Sequence, residues 1–257
     1  MQKKLRLTLI LFSILNLQTG FAQKEANIWY FGTMAGMDFN SGSPVALTNG
    51  QLFTTEGCAS IADANGNLLF YTEGVNVYNR LHALMPNGTG LLGGTSASQS
   101  ATILPYPGSS TQYYIFTVPN TAGGGLCYSI VDMTLAGGNG DITTKNFSLG
   151  AVNVSEKLTA TFHRNGLDFW VAVHDNGGNN FYAYQVTAGG VSGPVISTIG
   201  TAHTGTNPWT GCMKFSPKGD KMAVCLYGTQ QADLLDFDNS TGVFSNPATK
   251  NFPTTFF

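Results

Sequence analysis

The chain has 257 residues, 12 Lys and Arg against 14 Asp and Glu, a net charge of −2 with neutral histidines, and only 10% charged residues. That balance excludes a polyanion such as nucleic acid as partner, because phosphate binding takes clustered Lys and Arg. With 32 glycines beside so few charges, the composition describes many short strands joined by tight turns, with Thr, Ser and Asn wetting the surface.

Residues 1–22 read as an export signal: Lys3, Lys4 and Arg6 form a basic start, Leu7 to Leu17 is apolar, and Gly20-Phe21-Ala22 offers small residues for cleavage before Gln23. The apolar run is shorter than the roughly 20 residues a membrane helix needs, and none like it follows, so no membrane span is expected in the mature chain. The first cysteine is Cys58, which excludes a lipidated N-terminal cysteine. Cleavage near Ala22 removes three of the 12 basic residues and none of the 14 acidic ones, leaving 9 against 14 and a net charge of −5. The expected product is secreted, extracellular or at the cell surface, with residues 23–257 as one β domain.

Along that domain, "IWYFGTMAGMDFNSGSPVAL" at 28–47 predicts a hairpin. "CASIADANGNLLFYT" at 58–72 predicts another, its Asn65-Gly66 pair supplying the positive φ of a tight turn. The one stretch in which a short helical turn is expected is "VYNRLHALMP" at 77–86. The 58–72 pattern returns at Ser100-Ala101-Thr102-Ile103, at Thr159-Ala160-Thr161-Phe162 and at Cys212-Met213-Lys214-Phe215, each leading through a Gly-containing turn into an apolar strand. Ile61, Ile103, Phe162 and Phe215 are the equivalent positions, 42, 59 and 53 residues apart. A second hairpin follows at 125–142, 180–196 and 232–247. Two hairpins per unit at periods of about 40 to 50 predict an all-β, WD-repeat-like β-propeller of four-stranded blades, with about four to five blades present. The 28–47 hairpin matches the second, outer hairpin and has no inner one before it. A ring latched by its termini would then need an inner hairpin after Phe257, so the reading expects a propeller incomplete at the C-terminus, with an open or five-bladed assembly as the alternative.

From about Asn27 onward the chain resembles the N-terminal propeller region of large secreted, gliding-motility-associated proteins of gliding Gram-negative bacteria. The resemblance is carried by Asn27 to Gly32, Gly57 to Arg80, Met85 to Gly93 and Val131 to Leu135. It implies a WD-type propeller, a surface role in gliding motility or adhesion, and type IX secretion.

Glu56 and Glu156 precede the first strands of their copies, at the entry to the innermost strand, where two carboxylates could face an axial channel and suit glycoside chemistry or a cation. The alternative is that each accepts hydrogen bonds from turn amides. Trp209, in "TNPWTG", stands on a comparable loop, where it could stack on a sugar or peptide or pack between blades. Pairing Phe215 with Met222 sets Cys212 opposite Cys225. The choices there are a strained bridge and two small buried apolar residues. His82, His163, His174 and His203 form no metal-ligand spacing, His163 and His174 read as loop residues, and there is no Cys-x-x-Cys, GxSxG or phosphate loop. No cofactor, metal or catalytic set is therefore expected. The function expected is a non-enzymatic propeller binding a surface protein or polysaccharide. The alternative is a propeller enzyme, a glycosidase or lactonase, with a channel-facing carboxylate site.

Overall fold

The computed structural model describes residues 24–120, 124–150 and 153–252; the expected signal at 1–22 lies outside them. The described residues are all-β, with no α-helix and two single 3-10 turns. Five antiparallel sheets follow one another along the chain. The first has β1 Ile28–Phe31, β2 Ala35–Asp38 and β3 Val45–Leu47. The second has β4 Ala59–Ala62, β5 Leu68–Thr72, β6 Asn76–Asn79 and β7 Leu84–Thr89. The third has β8 Ala101–Pro105, β9 Gln112–Thr117, β10 Cys127–Asp132 and β11 Asp141–Ser148. The fourth has β12 Val154–Phe162, β13 Phe169–Asp175, β14 Asn180–Thr187 and β15 Gly190–Thr198. The fifth has β16 Met213–Phe215, β17 Lys221–Leu226, β18 Gln231–Asp238 and β19 Val243–Asn251. The four-stranded repeat is thus present four times, and Ile61, Ile103, Phe162 and Phe215 do occupy the equivalent strands β4, β8, β12 and β16.

Turn chemistry explains why the sheets break where they do. Asp63 Oδ1 accepts from the amides of Asn65 and Asn67, and Gly66 takes φ +87°. A Cβ at Gly66 would also sit 2.0 Å from Asn40 Oδ1, so the turn needs glycine for conformation and for approach to the first sheet. The expected helical turn at 77–86 is instead a hairpin between β6 and β7. There Asn79 Oδ1 accepts from Leu81 and Ala83, and His82 adopts φ +60°, so an Asx turn takes the amides a helix would use. The 28–47 hairpin also departs from its expected outer place. Its first strand lies beside β4, where the Ser60 hydroxyl donates to the Ile28 carbonyl and accepts from the Tyr30 amide.

Packing follows from strands that are apolar on both faces. In β13, Phe169, Val171 and Val173 point toward the third sheet and meet Leu104, Tyr114 and Phe116, while Trp170 and Ala172 point the other way and meet Met213, Phe215, Met222 and Phe237. Burying one side chain of this size contributes about 2 kcal/mol, and a strand serving two interfaces does so at every position. The second and third sheets join through Ile61, Phe70 and Met85 against Ile115 and Val131, and the first and second through Tyr30 stacked on Tyr71 at 4.5 Å.

The first strands β4, β8, β12 and β16 lie side by side at the inner edge. Their unpaired edges are tied by the loop before β8. Gln99 Oε1 accepts from the amides of Met213 at 2.7 Å and Leu158 at 3.3 Å, and its Nε2 donates to the Met213 carbonyl at 2.9 Å. One side chain thereby joins the third, fourth and fifth sheets. Gln99→Ala leaves these buried backbone groups unpaired, and its expected cost is about 2–3 kcal/mol. A shift of the urea midpoint at unchanged slope reads this, and a variant as stable as the parent would refute the bridging role.

Candidate functional site

Because every sheet is a meander running in chain order, the starts of β4, β8, β12 and β16 and the ends of β5, β9, β13 and β17 gather at one end of the molecule. The segments leading into the first strands, 54–58, 91–100 and 199–212, form that end together with the start of β12. Glu56, Glu156, Trp209, Cys212 and Cys225 are all on it, together with His174 and His203.

At its middle stands β12. A register irregularity between Val154 and Leu158 interrupts its alternation, so Ser155, Glu156, Lys157 and Leu158 are all buried in succession. Glu156 Oε2 accepts from the Ser98 amide and hydroxyl, both at 2.9 Å, and its own amide donates to the Trp209 carbonyl at 3.1 Å. Lys157, fully buried, donates through Nζ to the carbonyls of Trp209 at 3.1 Å and Pro208 at 3.3 Å. Burial pulls its ammonium down to about 8, opposed by the neighbouring Glu156 carboxylate. Glu156 and Trp209 are therefore brought together, through main-chain and hydroxyl contacts and not as two faces of a ligand pocket. Glu56 is exposed on the neighbouring loop, which Gly57 fastens by donating to the Ala97 carbonyl at 2.9 Å.

Between the inner strands lies a cavity of about 370 Å³. Ser98, Gln99, Thr102, Thr159 and Lys214 give it a polar lining, and Cys58 lines it as well. Neither Glu56 nor Glu156 lines it. The expected carboxylate pair in the channel is thus not formed. Glu156 is held against Ser98, as a buried carboxylate must be when turn amides are within reach, and Glu56 faces solvent.

His174 corrects the sequence reading in another way. It is no loop residue but the fully buried last inward position of β13. Its Nδ1 donates to the Asp175 carbonyl at 2.7 Å, and its ring stacks on that of His203 with centroids 3.4 Å apart. The Nε2 of His174 and both ring nitrogens of His203 have no hydrogen-bond partner among the described residues. No cluster of three or more His, Cys, Asp or Glu that could hold a metal occurs among those residues.

Cys212 and Cys225 lie opposite each other as the register requires: Phe215 pairs with Met222, Met213 with Val224, and the Cys225 amide donates to the Cys212 carbonyl at 2.8 Å. Both are free thiols on the exposed face of the fifth sheet. They are not the buried apolar pair offered as one of two readings. Lys157, Ser98, Gln99 and His203 went unsignalled because their roles arise from contacts between loops of different sheets. The sole local hint was the polar run Ser155-Glu156-Lys157 inside an otherwise apolar strand.

The sequence matches no protein-family model and no curated protein. Similar solved structures include a protein of Lactobacillus plantarum (14% identity, 91% of this chain and 68% of that one, TM-score 0.47). They include the periplasmic gluconolactonase of Pseudomonas aeruginosa (12%, 83% and 62%, 0.41) and the exo-β-1,3-galactanase of Phanerochaete chrysosporium (11%, 65% and 40%, 0.43). The chain spans less than two thirds of the length of both enzymes. A likeness at this level concerns strand arrangement, and no substrate is transferred from it. Enzymes stand among these neighbours, where the expectation was of a non-enzymatic binding protein. It rested on the lack of a spaced catalytic motif, whereas the ionisable groups here are assembled from separate sheets, which no spacing records.

The histidine pair gives a measurable signature. Burial holds both rings below the ordinary value of 6.5, His174 at about 4 and His203 further down, where its neighbour His174 adds to the effect. The unfolded chain then binds more protons than the folded one once pH drops below about 6.5, so stability is full above that pH and falls as the solution is acidified toward 4. His203→Phe keeps a ring in the stack and removes one such group. We expect it to shrink the loss of unfolding free energy between pH 7 and 5 by about 2 kcal/mol, measured by urea unfolding at each pH. Identical pH slopes in parent and variant would contradict this.

Proposed function

We propose that this chain is an enzyme on a β-propeller of WD-like four-stranded blades, and that it opens a small, hydroxylated lactone in the axial cavity. The cavity is the observation that carries the reading. Its size falls in the range of small-molecule sites, its lining is polar, and β8, β12 and β16 contribute to it together with the segment before β4. Glycoside cleavage calls for two carboxyl groups about 5 to 10 Å apart across the scissile bond. This cavity is lined by none, which favours lactone opening within the pair of enzyme readings. Attack of water on a lactone carbonyl builds negative charge on its oxygen, and the Lys214 ammonium is the cation at hand to stabilise it. Thr102 and Thr159 are the hydroxyls available to substrate hydroxyl groups. The export signal read in residues 1–22 supports an activity outside the cytoplasm.

The test is proton release from glucono-δ-lactone with the purified protein, against the spontaneous rate. Catalysed opening is expected, with Lys214→Ala lowering kcat by roughly 10²-fold, the usual scale for one electrostatic group. Parent protein no faster than buffer, or a Lys214→Ala variant as fast as the parent, would sink the reading.

A further inference from the structure

The fifth sheet carries a feature the proposed reaction does not use. Cys212 and Cys225 stand directly across the end of the β16–β17 ladder, both exposed and both on the outward face, since Met213, Phe215, Met222 and Val224 take the inward one. We propose that they form a reversible redox site, closed to a cross-strand disulfide by exchange with a small-molecule disulfide of the glutathione type.

Opposed residues that share a ladder hydrogen bond have Cα atoms about 5.5 Å apart, inside the range of about 4.4 to 6.8 Å that disulfides span. Their Cβ atoms, at about 4.5 to 5.5 Å, must still close by up to about an ångström. The ladder's end permits that. Regular pairing begins only at Met213, and Gly211 before it holds φ +123°. The thiols also border an apolar hollow of about 310 Å³ with Leu226, Tyr227 and Phe252, so a small disulfide can reach them. Cys127 is buried in the third sheet and Cys58 lines the cavity between the inner strands, so neither competes for the pair.

The chemistry balances. One thiolate attacks a sulfur of the small disulfide, forming a mixed disulfide and expelling one small thiolate. The second cysteine thiolate attacks the protein sulfur of that mixed disulfide and expels the other small thiolate. The two cysteines are oxidised by two electrons, the small disulfide is reduced to two thiols, and the protons lost by the cysteines are taken up by the products. Because the bridge needs inward movement, it is strained and yields to excess small thiol. Once closed, it pins the chain beside Gly211, next to the loop whose Trp209 carbonyl receives Glu156 and Lys157.

The experiment is mass spectrometry of the full chain after incubation with oxidised glutathione. The expected result is a loss of two hydrogen masses and, after trypsin, a linked pair of peptides containing Cys212 and Cys225, which cleavage at Lys214, Lys218 and Lys221 would otherwise separate. Cys225→Ser should instead retain one glutathione on Cys212, and excess reduced glutathione should restore the parent mass. Glutathione retained on both cysteines of the parent, no reaction at all, or a link to Cys58 or Cys127 would overturn the proposal. Lactonase activity does not enter this readout, so either idea can fail alone.

Discussion

A strand edge carries peptide groups that its own sheet cannot satisfy, and here four such edges are brought against one another. The Gln99 amide answers that constraint. Its oxygen collects amides from β12 and β16 and its nitrogen returns a bond to β16, while Ser98 beside it takes up Gly211 and serves Glu156. An apolar residue at position 99 would leave the inner edges to water or force them apart. The polar character of the cavity between the first strands is the other side of this solution, since its wall is built from the edges and from the side chains that satisfy them.

Much of the architecture was legible because two kinds of local chemistry agreed. Ile61, Ile103, Phe162 and Phe215 sit ahead of Gly-containing turns, and the turns fix hairpin register whatever the rest of the chain does. The register of the Cys212–Cys225 hairpin followed from pairing Phe215 with Met222. Where sequence reading went astray, a side chain had replaced a backbone partner. Asn79 made 77–86 a turn between strands, and Ser60 drew β1 to the inner edge.

The candidate site was much less legible, for a physical reason. Its groups converge from loops between sheets, at separations of about fifty to over a hundred residues, as in the pairs Ser98–Glu156 and Gln99–Met213. Nothing periodic connects them. The irregularity in β12 is equally invisible, yet it decides that Glu156 and Lys157 both turn inward when strict alternation would have sent one of them to solvent. The carboxylates expected ahead of the inner strands do not line the cavity. Their fate depended on whether a hydroxyl such as that of Ser98 stood close enough to claim them.

The strand β13 belongs to two hydrophobic cores at once, through Val171 and Val173 on one side and Trp170 and Ala172 on the other. Shared walls of this kind leave no seam along which the stack could divide. A nick or a denaturant that loosens the third sheet would strip cover from the fourth and leave the fifth without support, so we expect the described assembly to melt as a single cooperative unit instead of shedding one sheet at a time.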